Sequence, residues 1–194
     1  MGRNFAEHAK ELNNPVPVSP LIFFKPNTAV IGSGEPIRLP DVSEKVSYEA
    51  ELAVVISRIA KRVPAEKAYD YVLGYTAAND VTLRDIQATD SQWARAKGFD
   101  TSCPLGPWIN TDFDPEAVTI RSWINGDMRQ HGNTRDYIFD IPTLIAHITE
   151  TITLLPGDII LTGTPEGVGT IASGDTVRIA VDDLGVLINP VMDA

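Results

Sequence analysis

Two acidic side chains lead into the most apolar stretch of the chain. Glu49 and Glu51 stand two positions apart, and the apolar run 52–56 follows directly. Such a run, rich in β-branched residues, is typical of a strand covered on both faces. Side chains alternate across a strand, so both carboxylates should point to one side, with Cα atoms about 6.5 Å apart. Two like charges there must be solvated, protonated or paired with a cation, and from this stretch alone a solvated strand edge is the ordinary interpretation.

A second group of polar side chains follows the next apolar segment. The stretch 75–85 begins as a strand and ends in polar residues that include Asp80 and Arg84. Oxygen donors at a strand end can hold a ligand, although an Asn-Asp pair is equally typical of a turn. Together with Glu49 and Glu51, Asp80 would supply three carboxylates with no Cys or His at ligand spacing beside them. Hard oxygen donors of this kind favour Mg²⁺, Mn²⁺ or Ca²⁺ over zinc, and such a site would bind an oxo acid.

A histidine and an acid stand three positions apart near the start of the sequence. His8 and Glu11 lie in a segment of helix-forming composition, 4–13, and would share one helix face. A carboxylate beside an imidazole fixes its tautomer and raises its basicity, as a general base requires, although a surface pair of this kind is usually incidental. Pro15 and Pro17 end the helix and begin an extended connector, so that the short helix could move as a unit.

The composition narrows the classes of partner. The chain has 194 residues, 43% of them hydrophobic, and a formal net charge of -10. Nucleic-acid binding needs clustered lysines and arginines, and the sixteen present form no run. No apolar run reaches membrane-spanning length, and the single cysteine, Cys103, is typical of a small buried side chain in a reducing compartment. We therefore expect a cytoplasmic protein of one domain, 1–194, that binds neither nucleic acid nor membrane.

Short strands dominate the elements that must position these residues. Strands are predicted at 21–26, 28–31, 46–57, 118–124 with a hairpin partner after Asn125-Gly126, 159–161, 177–181 and 186–191. Helices are predicted at 4–13, from Val63-Pro64 to Gly74, and behind Asp140 as the N-cap. Many strands and few helices indicate a β-rich α+β fold.

Sequence blocks along nearly the whole chain resemble the fumarylacetoacetate hydrolase family. The blocks are GRNFAEHAKEL at 2–12, FFKP at 23–26, YEAELAVVI at 48–56, GYTAANDVTLRDIQ at 74–87, AKGFDT at 96–101, CPLGP at 103–107, ING at 124–126 and LPGDIILTGTPEGVG at 155–169. So many blocks in one order are highly specific. Family members usually carry a further stretch, including a strand, before the glycine that is Gly2 here.

The resemblance implies a fold, an assembly and a set of site residues. The fold would be a mixed β-sandwich roll with a few flanking helices, usually assembled as a homodimer. A divalent metal, Mg²⁺ or Mn²⁺ with Ca²⁺ as a further candidate, would be held by Glu49, Glu51 and Asp80. The catalytic residues would be His8, Glu11 and Lys97. The substrate-binding residues would be Lys25, Arg84, Gln87, Gly163 and Thr164.

The leading functional hypothesis is hydrolytic C–C cleavage of an acylpyruvate-type 1,3-dioxo acid, such as fumarylpyruvate or acetylpyruvate. His8, oriented by Glu11, would activate the attacking water. The same metal chemistry would serve an oxaloacetate decarboxylase, or an isomerase of 2-hydroxyhepta-2,4-diene-1,7-dioate. A protein that binds a small anionic oxo acid without turnover is the alternative from another class. Segment 1–18 is expected to act as a mobile lid over the site.

Overall fold

The computed structural model describes residues 1–194, and it is rich in strands, as predicted. The strands are β1 (Val30–Ile31), β2 (Ile37–Leu39), β3 (Val46–Tyr48), β4 (Ala50–Ile56), β5 (Val72–Asn79), β6 (Thr82–Leu83), β7 (Cys103–Pro104), β8 (Thr119–Ile124), β9 (Asp127–Asn133), β10 (Ile159–Leu161), β11 (Gly169–Thr170), β12 (Thr176–Val181) and β13 (Val186–Asp193). The α-helices are α1 (Ala6–Glu11), α2 (Arg84–Thr89), α3 (Ala94–Lys97) and α4 (Ile141–Thr151). Short 3₁₀ helices lie at Asn27–Ala29, Ala65–Tyr71, Thr134–Asp136 and Asp182–Leu184. None of these helices has the length and apolar composition needed to cross a membrane.

The strands form mixed sheets that pack face to face. The largest sheet has the order β2-β13-β12-β8-β9, in which only the β2–β13 pair is parallel. Two three-stranded sheets, β10-β4-β5 and β11-β3-β6, are antiparallel, and β1 pairs with β7 in parallel. Apolar side chains of β4 share one hydrophobic core with those of β8 and β12. The predicted α+β class with a mixed sandwich is therefore confirmed.

Strand β4 is buried along its whole length because each face has its own apolar contacts. Leu52 and Val54 belong to the large core, whereas Ala53 faces a small cluster that contains Cys103. Cys103 is a free, buried cysteine, as predicted, and burial raises the pKa of its thiol to about 12. The Cys103 thiol is therefore neutral near pH 7 and serves as a packing group. The carboxylate side chain of Glu51 lies on the same face of β4 as this small cluster.

Local sequence signals account for the best-predicted elements. Asn125 and Gly126 form a two-residue loop between β8 and β9 with φ of 53° and 91°, the positive values that the favoured hairpin turns require. Helix α4 begins after Asp140, whose side chain accepts a hydrogen bond from the backbone N–H of Thr143 at 2.8 Å. The predicted closing hairpin is β12 paired with β13.

Three predicted elements outside the site are wrong. The predicted strand 28–31 is a strand only at Val30–Ile31, because Asn27–Ala29 is a 3₁₀ helix. Segment 21–26 is an extended connector, not a buried strand: Leu21 makes a single bridge to Gly2, and Phe24 is 70% exposed. The helix predicted up to Gly74 is a 3₁₀ helix that ends at Tyr71, because Val72 already begins β5. Pairing with β4 is a long-range contact, and it overrides the helical spacing of the local sequence.

Candidate metal and substrate site

Two acidic residues lie where the chain passes from one sheet to another. Glu49 separates β3 from β4, and Asp80 follows the end of β5. Because β3 and β4 belong to different sheets, the predicted single strand 46–57 is in fact two strands. The backbone N–H of Asp80 donates a hydrogen bond to the carbonyl of Glu49 at 2.9 Å. The interruption between these strands therefore places Glu49 and Asp80 side by side.

Three carboxylates meet at this break. Glu49, Glu51 and Asp80 each offer one oxygen, and these oxygens all lie within 4.8 Å of one another. Glu51 and Asp80 are completely buried, and Glu49 is 4% exposed. This burial excludes a solvated strand edge. An oxygen-only donor set of this kind suits Mg²⁺, Mn²⁺ or Ca²⁺.

One carboxylate oxygen of Glu51 is buried without a hydrogen-bond partner. Its Oε2 accepts a hydrogen bond from the backbone N–H of Gly163, whereas its buried Oε1 has no hydrogen-bond partner. Burial raises the pKa of Glu51 to about 8, and the charges of Asp80 and Glu49 add to the shift. A buried polar atom without a partner is costly, and a divalent ion would satisfy it. The residues present therefore fit a divalent metal.

Three cationic side chains compensate the other two acids. Lys97 Nζ lies 2.7 Å from Glu49 Oε2 and 2.8 Å from Asp80 Oδ2. Lys25 Nζ lies 2.7 Å from Asp80 Oδ1, and the Arg84 guanidinium donates to Glu49 Oε1. A metal ion that binds Glu49 and Asp80 would have to take over contacts that Lys97 makes in this structure.

The charges of this cluster fix its protonation. Burial alone would raise the pKa of Glu49, but the charges of Arg84 and Lys97 outweigh burial and lower it well below its usual range. Burial alone would lower the pKa of Lys97, but Asp80 and Glu49 outweigh it and raise that pKa. Lys97 is thus an ammonium ion over a wide pH range, and Glu49 is ionised.

The His8–Glu11 pair lies against this cluster. His8 Nδ1 is 3.3 Å from Glu11 Oε2, and His8 Nε2 is 3.9 Å from Glu49 Oε1. Glu11 also accepts a hydrogen bond from the backbone N–H of Gly167 at 3.0 Å, which holds its carboxylate in place. Burial lowers the pKa of His8, although Glu49 opposes the shift. A buried, neutral imidazole with one nitrogen held by a carboxylate can act as a base through the other.

A cleft of about 560 Å³ opens above the cluster. Its lining includes Glu49 and the predicted site residues His8, Arg84, Gln87, Lys97 and Thr164. Gln87 accepts a hydrogen bond from Arg84 Nη1 at 3.0 Å. The other predicted site residues do not line the cleft. Asp80 and Lys25 form a buried ion pair, and Glu51 is buried and accepts from the backbone N–H of Gly163. Glu11 lies behind His8.

Two buried amide side chains support the break between β3 and β4: Asn79, the asparagine of the Asn-Asp pair noted in the sequence, and Gln130, which the sequence did not single out. Asn79 Oδ1 accepts from the backbone N–H of Glu49 at 2.9 Å, and Gln130 Oε1 accepts from that of Ala50 at 3.0 Å. Gln130 Nε2 donates to Thr164 Oγ1 at 2.7 Å. Their signal in the sequence was an uncharged amide at an inward-facing strand position, which is rare without a structural task.

A strand-rich sandwich with three buried carboxylates beside an imidazole defines a candidate metalloenzyme. The chain belongs to the fumarylacetoacetate hydrolase family, because the model of the fumarylacetoacetate (FAA) hydrolase C-terminal region matches residues 1–192. Similar proteins with named activities include hydrolases, isomerases and tautomerases.

Three similar proteins illustrate this range. The structure of 5-carboxymethyl-2-hydroxymuconate delta-isomerase from Mycobacterium smegmatis is 53% identical, with a TM-score of 0.93 over 100% of this chain and 77% of that one. Oxaloacetate tautomerase fahd2 of Xenopus laevis is 44% identical over 99% of this chain and 64% of its own length. Fumarylpyruvate hydrolase from Pseudomonas aeruginosa, solved with Mn²⁺ and pyruvate, is 30% identical, with a TM-score of 0.92 over 99% and 87%.

Proposed function

We propose that this protein is a divalent-metal-dependent hydrolase that cleaves a C–C bond of acylpyruvate-type 1,3-dioxo acids. The observation that carries the proposal is the His8–Glu11 pair, whose imidazole Nε2 lies 3.9 Å from Glu49 within the carboxylate cluster. A buried base beside a candidate metal site is the arrangement that activation of water requires. Glu49, Glu51 and Asp80 would hold Mg²⁺ or Mn²⁺, which supplies Lewis-acid chemistry toward the oxygens of the oxo acid when bound.

His8 is the proposed base. Its lowered pKa keeps the imidazole neutral near pH 7, and the contact with Glu11 leaves the proton on Nδ1 and the lone pair on Nε2. Nε2 takes a proton from water, and the water oxygen forms a bond to the distal acyl carbonyl carbon. When the C–C bond to the methylene breaks, its electron pair stays on the methylene carbon as the pyruvate enolate. That carbon then takes the proton back from His8, so the products are a carboxylic acid and pyruvate.

The cationic and polar side chains of the cleft are the proposed substrate contacts. Lys97 stays protonated because of its raised pKa, and can donate to the oxygen on which negative charge develops. Arg84 and Gln87 present a guanidinium and an amide at the same end of the cleft. Thr164 Oγ1 accepts from Gln130, so its own hydroxyl hydrogen is left for a ligand. These donors match an anionic oxo acid.

Tautomerisation or isomerisation is the second candidate, favoured by the names of the relatives. Proteins 53% and 44% identical to this chain are named an isomerase and an oxaloacetate tautomerase. Such reactions need only a base that moves a proton between two carbons, or between carbon and oxygen, and His8 can serve both reactions. The difference lies in the products, because only hydrolysis releases two fragments.

Product analysis with a His8→Gln variant tests the proposal. Wild-type protein with Mn²⁺ would be given acetylpyruvate, fumarylpyruvate, oxaloacetate and a hydroxymuconate, and the products resolved by chromatography and NMR. We expect pyruvate from the dioxo acids, and a loss of about 10²- to 10⁴-fold in kcat for His8→Gln. The exposed His131 provides the matched control, His131→Gln. Enol–keto exchange without fragment release would favour the second candidate, and full hydrolysis by His8→Gln would exclude the proposed base.

A further inference from the structure

The carboxylate of Glu11 is held between the proposed base and a loop. Glu11 Oε2 lies 3.3 Å from His8 Nδ1, and Glu11 Oε1 accepts a hydrogen bond from the N–H of Gly167 at 3.0 Å. Gly167 belongs to the loop that joins β10 to β11. A carboxylate on Nδ1 sets the orientation of an imidazole, so the orientation of His8 depends on where this loop holds the N–H of Gly167.

Gly167 has no side chain with which to fix its own backbone. Its φ is 93°, in the left-handed region that favours glycine. A Cβ at this position would collide with the carbonyl oxygen of Arg129, so the loop passes directly against β9. Only glycine fits this close approach, and glycine rotates more freely than other residues. Contacts from neighbouring residues must therefore set the direction of the N–H of Gly167.

The hydroxyl of Tyr48 makes such a contact on the carbonyl side of Gly167. The hydroxyl donates to the carbonyl of Gly167 at 2.8 Å, and the ring of Tyr48 is buried in the large core. Two residues further on, Gly169 pairs with Tyr48 where β11 runs antiparallel to β3. Because the core fixes the ring, the hydroxyl is a donor in a fixed position, and it holds the loop next to the strand pair.

These contacts form a continuous chain from strand β3 to the base. Tyr48 donates to Gly167, and Gly167 donates to Glu11. Glu11 in turn contacts Nδ1 of His8. Tyr48 itself does not line the cleft, so it does not contact a bound substrate from this position. An effect of its hydroxyl on the reaction therefore has to pass through the loop.

We propose that Tyr48 is a positioning residue for the base, because its hydroxyl fixes Gly167 and the N–H of Gly167 then holds Glu11 against His8. The inference rests on the proposed role of His8 and deepens it. It gives Tyr48 no part in metal binding and none in the chemical step. Without the hydroxyl, the backbone of Gly167 rotates more freely, and fewer molecules have a correctly oriented imidazole.

A double-mutant cycle tests whether Tyr48 acts through Glu11. Tyr48→Phe removes the hydroxyl and keeps the ring, so the core retains its packing. For the oxo acid that the Mn²⁺-loaded wild type converts fastest, we expect kcat to fall about 3- to 10-fold, with KM and Mn²⁺ affinity within about twofold. In a Glu11→Ala background, the same change should alter kcat by less than about twofold, because the contact it supports is already gone. An unchanged kcat in Tyr48→Phe, or losses that multiply in the double variant, would overturn the proposal.

Amide hydrogen exchange at Gly167, followed by NMR, gives a readout that needs no turnover. Tyr48→Phe should raise the exchange rate of this N–H about 10-fold, and Glu11→Ala should raise it at least as much. Tyr75→Phe, at another buried tyrosine, should change neither exchange nor kcat. Unchanged exchange in Tyr48→Phe would overturn the link between the two residues. If exchange rises but His8→Gln is as active as the wild type, Tyr48 holds Glu11 as inferred and the proposed base is wrong.

Discussion

Two regions build the candidate site by different means. The first, which we call the floor, comprises Glu49, Glu51, Asp80 and Lys97. Its three acids come from a break between buried strands, and its members are at most 4% exposed. The second, which we call the wall, is α1 with its pair His8 and Glu11. It is a helix of only six residues and is not part of the β-sheet framework.

The wall is attached mainly at its beginning. Asn4 donates to the carbonyls of Phe139 at 3.0 Å and Thr162 at 2.7 Å, and accepts from the N–H of Phe139 at 2.8 Å. Phe5 packs edge to face on Tyr137 with centroids 5.0 Å apart. After α1 the chain is exposed, and Val18 is fully so. That segment 1–18 forms a mobile lid stays a prediction.

This difference separates two tasks. A metal site needs donors held at fixed spacing, which a buried strand break supplies because each backbone group is paired. A general base has to approach the substrate and withdraw after the reaction. A short helix that is fixed at one end permits this movement. We therefore expect changes to the three acids of the floor to abolish metal binding, and changes in the wall to alter kcat while metal affinity is kept.

The largest effect is expected from Glu51→Gln in the floor. The amide can still accept from the N–H of Gly163, but it removes one of three charges that would hold the ion. Activity should fall by about 10³-fold or more. In the wild type, Mn²⁺ at 100 times its Kd should stabilise the fold by about 2.7 kcal/mol in thermal unfolding, and this gain should vanish in the variant.

The exposed Glu66 supplies the control for that experiment, since Glu66→Gln changes net charge equally at a distance. Retention of Mn²⁺ affinity by Glu51→Gln, measured by calorimetry, would remove Glu51 from the metal site. It would also leave the unpartnered Oε1 without an explanation.

The sequence predicted the floor better than its surroundings. That Glu49 and Glu51 share a side follows from strand alternation, which is a local property. The break at Glu49, between β3 and β4, is supported by Asn79 and Gln130, which are distant in sequence, so local patterns could not show it. The catalytic role predicted for Lys97 came from the family resemblance, because no spacing rule predicts that a lysine will lie between two acids.

The apolar runs outside the site show the same limit. The run 52–56 is a strand in the structure, whereas 21–24 is not, although both are apolar and of strand length. The first has partners on both sides, β5 and β10, and the second pairs only at Leu21. Hydrophobicity shows that a segment can be buried, but partner strands decide whether it joins a sheet.

An intermediate effect is expected from Gln130→Met, which weakens the support of the floor without touching a carboxylate. The N–H of Ala50 and the carbonyl of Pro165 would lose the partners that Gln130 provides. The free energy of unfolding should fall by about 2–3 kcal/mol in denaturant titration, because buried polar groups are left unpaired. The exposed Gln92 gives a control, Gln92→Met. Equal stability of the two variants would mean that other contacts are sufficient to maintain the break between β3 and β4.

The smallest effect is expected from Glu11→Gln in the wall. Glu11 contacts His8 Nδ1 through Oε2 and accepts from the N–H of Gly167 through Oε1, so the single amide oxygen of Gln can keep one of these contacts, and the charge that favours protonation of His8 is lost. We expect kcat to fall by about 10-fold, with Mn²⁺ affinity unchanged. Glu7→Gln, on the same helix but paired only with the exposed Lys10, should change neither. A parallel loss of Mn²⁺ affinity in Glu11→Gln would show that wall and floor act as one unit, because the variant changes no carboxylate of the floor.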